Sequence, residues 1–480
     1  MNIVSFKSCL IGLMSALLGG CLVGPNYHRP PAPVPIQYKE LPDWTPATPA
    51  DAAPKGDWWT DFHDPLLDEL EPMVVVSNQT VRQNYENYQQ ALAEVKVARA
   101  QLFPTIGIAA TATRSGGPGY AGTGVAATGS SGVINAATLE GTASWTPDLW
   151  GKVRRLIEEN AAIAQSDEAT LANATLSEQI LLATTVIELR IADANIDLGQ
   201  KTVVAYQDAL RVTQAQGTAG ITATPPSAVI TAQVALESAQ STLIGLGVAR
   251  AQYAHAIAVL VGKNPEDLDI AHSEALPTLP AVPAGVPSTL LQRRPDIAAA
   301  ERTMKAQNAA VGIAVAADYP TLSLSGSAGF SQSPLQGLLR AANRVWSIGA
   351  SGTETVFDFG ERHAEVQAAK AAYEAAVASY RNTVLNAFAD VENDLSGLRI
   401  LADQAQALHT AVQDAIRGTQ IALAEYQAGT VDYTTVAVAQ ETQLSNQQTA
   451  LSVEQSRLID AVSLIGDLGG SWSDSQLHDP

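Results

Sequence analysis

The sequence predicts a mixed α/β membrane protein in which four short strands and several very long helices are arranged as two internal repeats. One observation is a recurring segment, Leu102-Phe103-Pro104-Thr105-Ile106, which returns as Asp318-Tyr319-Pro320-Thr321-Leu322. A second is the alternation that follows both copies, where apolar residues interleave with small polar ones at the period of a two-faced strand. The third is proline placement. Of 25 prolines, none falls from Asp148 to Thr224 or from Leu335 to Asp479, and an interior proline would remove a backbone donor and break a helix.

Composition narrows the function classes. Aromatic residues make up only 5% of the 480 residues, which suits a thin, elongated architecture better than a thick core. A net charge of −20 excludes nucleic acid as a partner, because that binding rests on Lys and Arg neutralising phosphates. The mature region is read as lacking a run of about 20 apolar residues, so a membrane-spanning role falls to the strands.

Residues 1–20 carry Lys7 and then an apolar run from Leu10 to Leu18, the pattern of an export signal. It ends in Leu18-Gly19-Gly20-Cys21, which resembles a bacterial lipobox. Cys21 is therefore the expected lipidation site, carrying covalent lipid after cleavage. Cys9 lies within the signal, so the mature chain holds no second cysteine for a disulfide or a Cys-based metal site. By analogy with lipoprotein sorting, Leu22 after the cysteine points to the outer membrane. Acyl chains anchor a protein without spanning the bilayer. Residues 21–57 hold nine prolines between Pro25 and Pro54 and read as an extended, lipid-anchored tether.

The first repeat is placed at 58–262, with strands near 102–114 and 138–149. In the first strand Ile106, Ile108, Ala110 and Ala112 alternate with Thr105, Gly107, Thr111 and Thr113. In its partner Leu139, Gly141, Ala143 and Trp145 alternate with Glu140, Thr142, Ser144 and Thr146. A proline-free helix from Lys152 to Gln216, a turn at Gly217 and a return helix from Ser227 to Val261 complete the copy, which carries extra residues around Pro225 and Pro226. A linker, 263–290, follows. The second repeat, 291–470, has strands near 319–331 and 346–358, with Glu354 falling in the apolar register, where it weakens the strand unless it sits at the membrane interface. A long helix from Glu361 to Ala428, a turn at Gly429 and a return helix from Thr434 to Leu468 follow, then a tail, 471–480. In that helix Tyr373, Val377, Tyr380, Val384, Phe388, Val391, Leu395 and Leu398 recur every three or four residues, as a packing seam does.

Four strands cannot close in lipid, where every backbone group must be satisfied and the smallest barrels have about eight strands. Copies must therefore share one barrel. Two would give about eight strands and a filled interior, while three would give about twelve and leave a lumen. Small Thr, Ser and Gly on the polar face favour the wider barrel.

The segment Leu291-Gln292-Arg293-Arg294-Pro295-Asp296-Ile297-Ala298-Ala299-Ala300-Glu301-Arg302 resembles a signature of NodT-type outer-membrane factors of the TolC family. Similar matches are Trp58-Trp59-Thr60-Asp61-Phe62-His63-Asp64-Pro65, Pro147-Asp148-Leu149-Trp150-Gly151-Lys152, Tyr426-Gln427-Ala428-Gly429-Thr430-Val431-Asp432-Tyr433 and Leu468-Gly469-Gly470-Ser471-Trp472. The resemblance covers nearly the whole mature chain. It implies a homotrimer with a TolC-like outer-membrane β-barrel, four strands per chain, continued by a long periplasmic α-helical barrel. It also implies two partners, a periplasmic adaptor (membrane fusion protein) and an inner-membrane transporter, in a tripartite efflux system that exports small molecules passively through the duct.

Members of that family close the tunnel tip with a turn carrying acidic and basic side chains, in segments of the form D-V-L-x-A-Q-R. The matching stretch is Thr435-Val436-Ala437-Val438-Ala439-Gln440-Glu441. Val438 stands where an aspartate is common and Glu441 where arginine is usual, and Ala228 takes a common aspartate position in the first repeat. The candidate gate is therefore Val438, Glu441, Thr434, Asp432, Tyr426 and Ala228, with an apolar constriction near Val438. The alternative is that Val438 only packs between helices.

Other motifs point away from chemistry. Gly117-Pro118-Gly119-Tyr120-Ala121-Gly122 fits G-x-G-x-x-G, but more Gly, Thr and Ser follow where a dinucleotide site needs a helix. Asp193, Asn195 and Asp197 imitate a calcium loop, yet Gly199 is off register, and a solvated helix face is expected. No histidines pair at metal-binding spacing, and Ser327 is not in a nucleophile elbow. Neither an enzyme nor a cofactor is expected apart from lipid on Cys21. The competing architecture is a lipid-anchored periplasmic coiled-coil adaptor without its own pore.

Overall fold

The computed structural model describes residues 22–35, 37–40, 57–116, 133–218, 226–282, 290–332 and 337–480. Cys21, the Gly117–Gly122 motif and Pro225 lie outside them. The chain runs α1 (Pro65–Ser77), α2 (Gln79–Ala100), β1 (Thr105–Gly116), β2 (Val133–Trp145), α3 (Lys152–Thr218) and α4 (Pro226–Leu260). It continues through α5 (Pro295–Ala316), β3 (Thr321–Gln332), β4 (Arg344–Thr353), α6 (Glu361–Gln427) and α7 (Tyr433–Asp467).

The repeat is visible in element lengths. The helices α2 and α5 both have 22 residues, α3 and α6 both 67, and α4 and α7 both 35. At 1.5 Å per residue the longest pair spans roughly 100 Å.

Local chemistry sets the ends. The Asn78 side chain accepts from the Thr80 and Val81 amides at 2.8 and 3.1 Å, and the Asp64 carboxylate accepts from Leu66 N at 2.8 Å. These satisfy donors that the first turn of a helix leaves open. Asp148 does the same for α3, accepting from Val153 N and Arg154 N. Its counterpart Asp358 serves the start of α6, where it accepts from Gly360 N at 3.0 Å. This shared cap is the physical content of the Pro147–Lys152 motif.

Four strand boundaries differ from expectation by three residues or more; one is the start of β2, at Val133 rather than near 138, where it pairs with Gly116 at the end of β1. Pro104 precedes β1 and Pro147 follows β2, and proline cannot donate to the ladder; pairing begins at Thr105 and ends at Trp145. β4 stops at Thr353 rather than near 358, because Asp358 is engaged in capping α6. Glu354 then lies beyond the strand, 3.4 Å from Arg362. The four strands form one antiparallel sheet in the order β1-β2-β3-β4.

The helices lie beside one another in two tiers. Nearer the strands the order is α2, α3, α5, α6; farther away it is α4, α3, α7, α6. The main core lies where the tiers meet, and there Val377, Tyr380, Val384, Phe388, Val391, Leu395 and Leu398 are buried against Leu182, Val186, Ile257, Leu458 and Val462. The 3₁₀ turn Trp58–Phe62 and α1 close this core with Trp58, Trp59, Phe62, Leu67 and Leu70.

One expectation fails. Helix α4 has an 18-residue window of mean hydropathy 1.4, long and apolar enough to cross a membrane by length and composition, and only 17% of that window is buried. The apolar content was hidden because Ala, Val and Ile are spread around the helix rather than run together. The helix folds back along α3, so its apolar surface lies on the flank of the helical tier.

Candidate functional site: the sheet and the helix tip

Alternation gives the sheet two chemically distinct faces. On one lie Ile106, Ile108, Trp346 and Ile348, which are 75 to 83% exposed. On the other lie Thr105, Ser144 and Ser325, placed side by side by the register. An apolar face turned to lipid and a small polar face turned to a lumen is the chemistry of a transmembrane barrel wall.

Aromatic residues mark the level where strands become helices. Trp150 stacks on Tyr319 with ring centroids 4.9 Å apart and donates from Nε1 to Pro320 O at 2.7 Å. Trp145 Nε1 donates to Leu102 O at 3.0 Å. Phe103, Phe357 and Phe359 are exposed at the same junctions. Such a belt suits the membrane–water interface, where amphipathic rings are stable.

The described chain enters at this level. Val23 N donates to Trp150 O at 3.2 Å, and buried Arg155 donates to Val23 O, Gly24 O and Asn26 Oδ1 at 3.2, 3.3 and 2.9 Å. Gly24, at φ +85°, lies so close to Gly312 that a Cβ would sit 2.5 Å from the Gly312 Cα. The segment then descends along the helices. Arg29 reaches the Tyr380 hydroxyl at 3.0 Å, and the Lys39 and Glu40 amides donate to Glu392.

At the opposite end, α6 ends in a Schellman-type turn with Gly429 at φ +75°. There Gly429 N donates to Tyr426 O and Thr430 N to Glu425 O, at 2.9 and 3.0 Å. Tyr426 and Tyr433 flank the turn with rings at 5.7 Å, edge to face, and pack with Ala209, Ala228, Ala232, Ala422 and Val436. Gln216 Nε2 donates to Tyr426 O at 3.0 Å, tying the tip of the first repeat to the second. Thr419 Oγ1 donates to Ala439 O at 3.0 Å, tying α6 to α7.

The candidate gate residues thus separate. Tyr426 and Ala228 are inside the tip cluster, whereas Val438 is 58% exposed and Asp432, Thr434 and Glu441 are also exposed. Within one chain Val438 is not covered by helix packing. Tyr433 and Gln216 organise the tip but are not among the candidate gate residues; Tyr433 closes the Tyr426–Tyr433 motif, whereas Gln216 has no local signature. Tyr206 belongs with them: burial first, and then nearby Glu441, push its hydroxyl above the usual range.

The pseudo-calcium segment is not a solvated face. Asp193 is fully buried, 2.6 Å from Arg250 Nε and 3.0 Å from His272 Nδ1, while His272 Nε2 lies 2.9 Å from Asp197. It is an ion-pair network holding the segment after α4 against α3. Among the described residues no cluster of His, Cys, Asp and Glu could hold a metal.

Known proteins share this architecture. A family model described as outer membrane efflux protein matches residues 73–263 and 286–470. The chain is 31% identical over 472 residues to a toluene efflux pump outer membrane protein, TtgC, of Pseudomonas putida, covering 97% of this chain and 96% of that one. It is 28% identical over 494 residues to the outer membrane protein OprJ of Pseudomonas aeruginosa, with 97% and 96% covered. Among solved structures it matches the outer-membrane channel OprN with a TM-score of 0.86 and 28% identity, over 94% of this chain and 99% of that one. The open state of the Neisseria gonorrhoeae MtrE outer membrane channel matches with a TM-score of 0.82 and 26% identity, over 95% and 99%. With its two-faced sheet, aromatic belt and paired long helices, the chain belongs to the outer membrane efflux protein family, as an outer-membrane efflux channel that extends into the periplasm.

Proposed function

We propose that three copies of this chain close into one barrel and one helical tunnel, forming the passive exit duct of a tripartite efflux system. The observation that carries this is that the sheet and both helical tiers end on corresponding elements. One flank shows β1, α2 and α4, and the other shows β4 and α6 throughout. Pairing β4 with a neighbour's β1 satisfies both strand edges in lipid, and the same rotation lays α6 against the neighbour's apolar α4. Three copies give about twelve strands and a lumen, where two would fill their own interior.

On this reading the protein is not an enzyme, and energy and selection come from a periplasmic adaptor and an inner-membrane transporter. Lipid on Cys21 anchors each copy at the aromatic belt, since Leu22 and Val23 meet Gly151 and Trp150 there. Exposed Val438, with Asp432, Thr434 and Glu441 around it, forms the narrowing at the tip. Planar-bilayer recording tests the assignment. The wild type passes ions, and Val438→Asp raises cation selectivity and alters current; an unchanged current and selectivity would remove Val438 from the constriction.

A further inference from the structure

The lipid-facing side of the sheet is not evenly covered. Its register places Ile106, Ala143, Gly326 and Ile348 side by side in one row, and Ile108, Gly141, Ala328 and Trp346 in the row above. In both rows the outer strands carry bulky side chains and the central strands carry almost none. Bulky side chains return on the central strands at both ends, Trp145 and Leu324 below and Leu139 and Phe330 above. The result is an apolar trough running along β2 and β3. Its lower part is a hollow of about 470 Å³ lined by Ala143, Trp145, Leu324, Gly326, Ile348 and Ala350 among others.

Nothing among the described residues requires the glycines of this trough. A Cβ on Gly326 would have its nearest neighbour, Ser347 O, at 3.8 Å, and one on Gly141 would meet Ala328 O at 3.7 Å, both ordinary contacts. Neither glycine has a positive φ. Glycine weakens a strand interior and marks a bulge, a tight bend or a close approach from outside; the register runs unbroken through Gly141 and Gly326, so neither marks a bulge.

Counted with the bulky rows that bound it, the trough matches the depth of one leaflet, and its open floor is two rows, Ala143 with Gly326 and Gly141 with Ala328. Six residues separate its end rows, roughly 20 Å at 3.3 Å per residue. With strands tilted about 40° it rises roughly 15 Å, half of a hydrocarbon core about 30 Å thick.

We infer that the trough on β2 and β3 seats one acyl chain of the lipid carried on Cys21. The start of the described chain argues for this occupant. Leu22 packs against Gly151, where a Cβ would fall 2.5 Å from Leu22 Cδ1, and Val23 is bonded to Trp150. Trp150 in turn rests on Tyr319 and Pro320, directly before β3. From Pro320 to Leu324 at the trough's foot is about 13 Å of strand. Covalent attachment keeps this chain at high effective concentration beside the trough, ahead of any free lipid. Seated there, it would cover the seam between the two repeats within each copy.

The inference rests on lipidation of Cys21, so the experiment reads both. Cells expressing the full chain are fed a diazirine-bearing fatty acid, the membranes are irradiated, and the purified protein is mapped by peptide mass spectrometry. The expected result is an acylated N-terminal peptide cross-linked to peptides holding Ala143–Trp145 or Leu324–Ala328, with loss of those cross-links in Gly326→Leu and retained acylation. An unmodified Cys21 peptide would remove the lipidation itself. An acylated Cys21 whose cross-links scatter over β1 and β4, or a trough labelled only by free lipid, would overturn the trough assignment while lipidation stood.

Discussion

Arg190 and Asp64 form a two-pronged ion pair sealed between α3 and the start of α1, with Nε to Oδ2 at 2.8 Å and the terminal nitrogen to Oδ1 at 3.0 Å. Both side chains are less than a tenth exposed. Asp64 also caps α1 through Leu66 N, so one carboxylate fixes both the helix start and its docking. Removing one partner of a buried pair leaves the other charge uncompensated. Arg190→Ala is expected to cost about 3–5 kcal/mol, read as a lowered denaturation midpoint of the detergent-solubilised protein. Replacing the pair by Met at 190 and Leu at 64 is expected to recover most of it, less about 1 kcal/mol for the lost cap.

The segment after α4 depends on the Asp193 network. Arg250 also donates to Ile270 O at 2.9 Å, and Ser273 N donates to Asp193 Oδ2 at 3.1 Å. Asp193→Ala therefore releases several anchors at once. Hydrogen exchange across residues 268–276 should accelerate by at least two orders of magnitude, about 3 kcal/mol of local protection, while exchange in the α6 seam stays unchanged.

Glu71 carries a pH dependence. It is fully buried in α1, neither carboxyl oxygen has a partner among the described residues, and burial pushes its pKa from an ordinary 4.5 to about 9. A carboxyl whose pKa is higher folded than unfolded contributes most below the unfolded value, and that contribution is lost as pH rises toward the folded value. Stability should therefore fall from about pH 4.5 to pH 9 by this group's share. Glu71→Gln should flatten that portion of the profile, and Glu71→Leu should stabilise the protein at pH 8 by more than about 1 kcal/mol. Thermal unfolding across the pH series checks the sign.

The helix tip separates a backbone requirement from a side-chain one. Gly429 holds φ +75°, and Ala there is expected to cost about 1 kcal/mol. The Tyr433 hydroxyl is buried with no partner among the described residues, so Tyr433→Phe is expected to be neutral or stabilising by about 1 kcal/mol. Protease sensitivity of the tip loop in the two variants distinguishes them, rising only for Gly429→Ala.

What could be read in the sequence was what repeats locally. The seam from Val377 to Leu398 shows its spacing within one helix, and the Pro104 and Pro320 segments show the duplication, so long helices, strand pairs and their order were legible. What was missed has long-range causes. Asp193 meets Arg250 and His272 from 57 and 79 residues away, and a carboxylate neutralised at that distance looks in sequence like a solvated one. The apolar character of α4 was hidden because its residues are not consecutive. At the tip, Tyr426 stood out within a recognisable motif, but only folding shows that it is buried with Ala228 while Val438 is exposed.

In the proposed assembly one chain supplies a third of a closed pore. Native mass spectrometry of the lipid-modified protein released from detergent counts the chains in that pore. The expected particle holds three chains with their covalent lipids. A particle of one or two chains, persisting across detergents, would contradict that assembly.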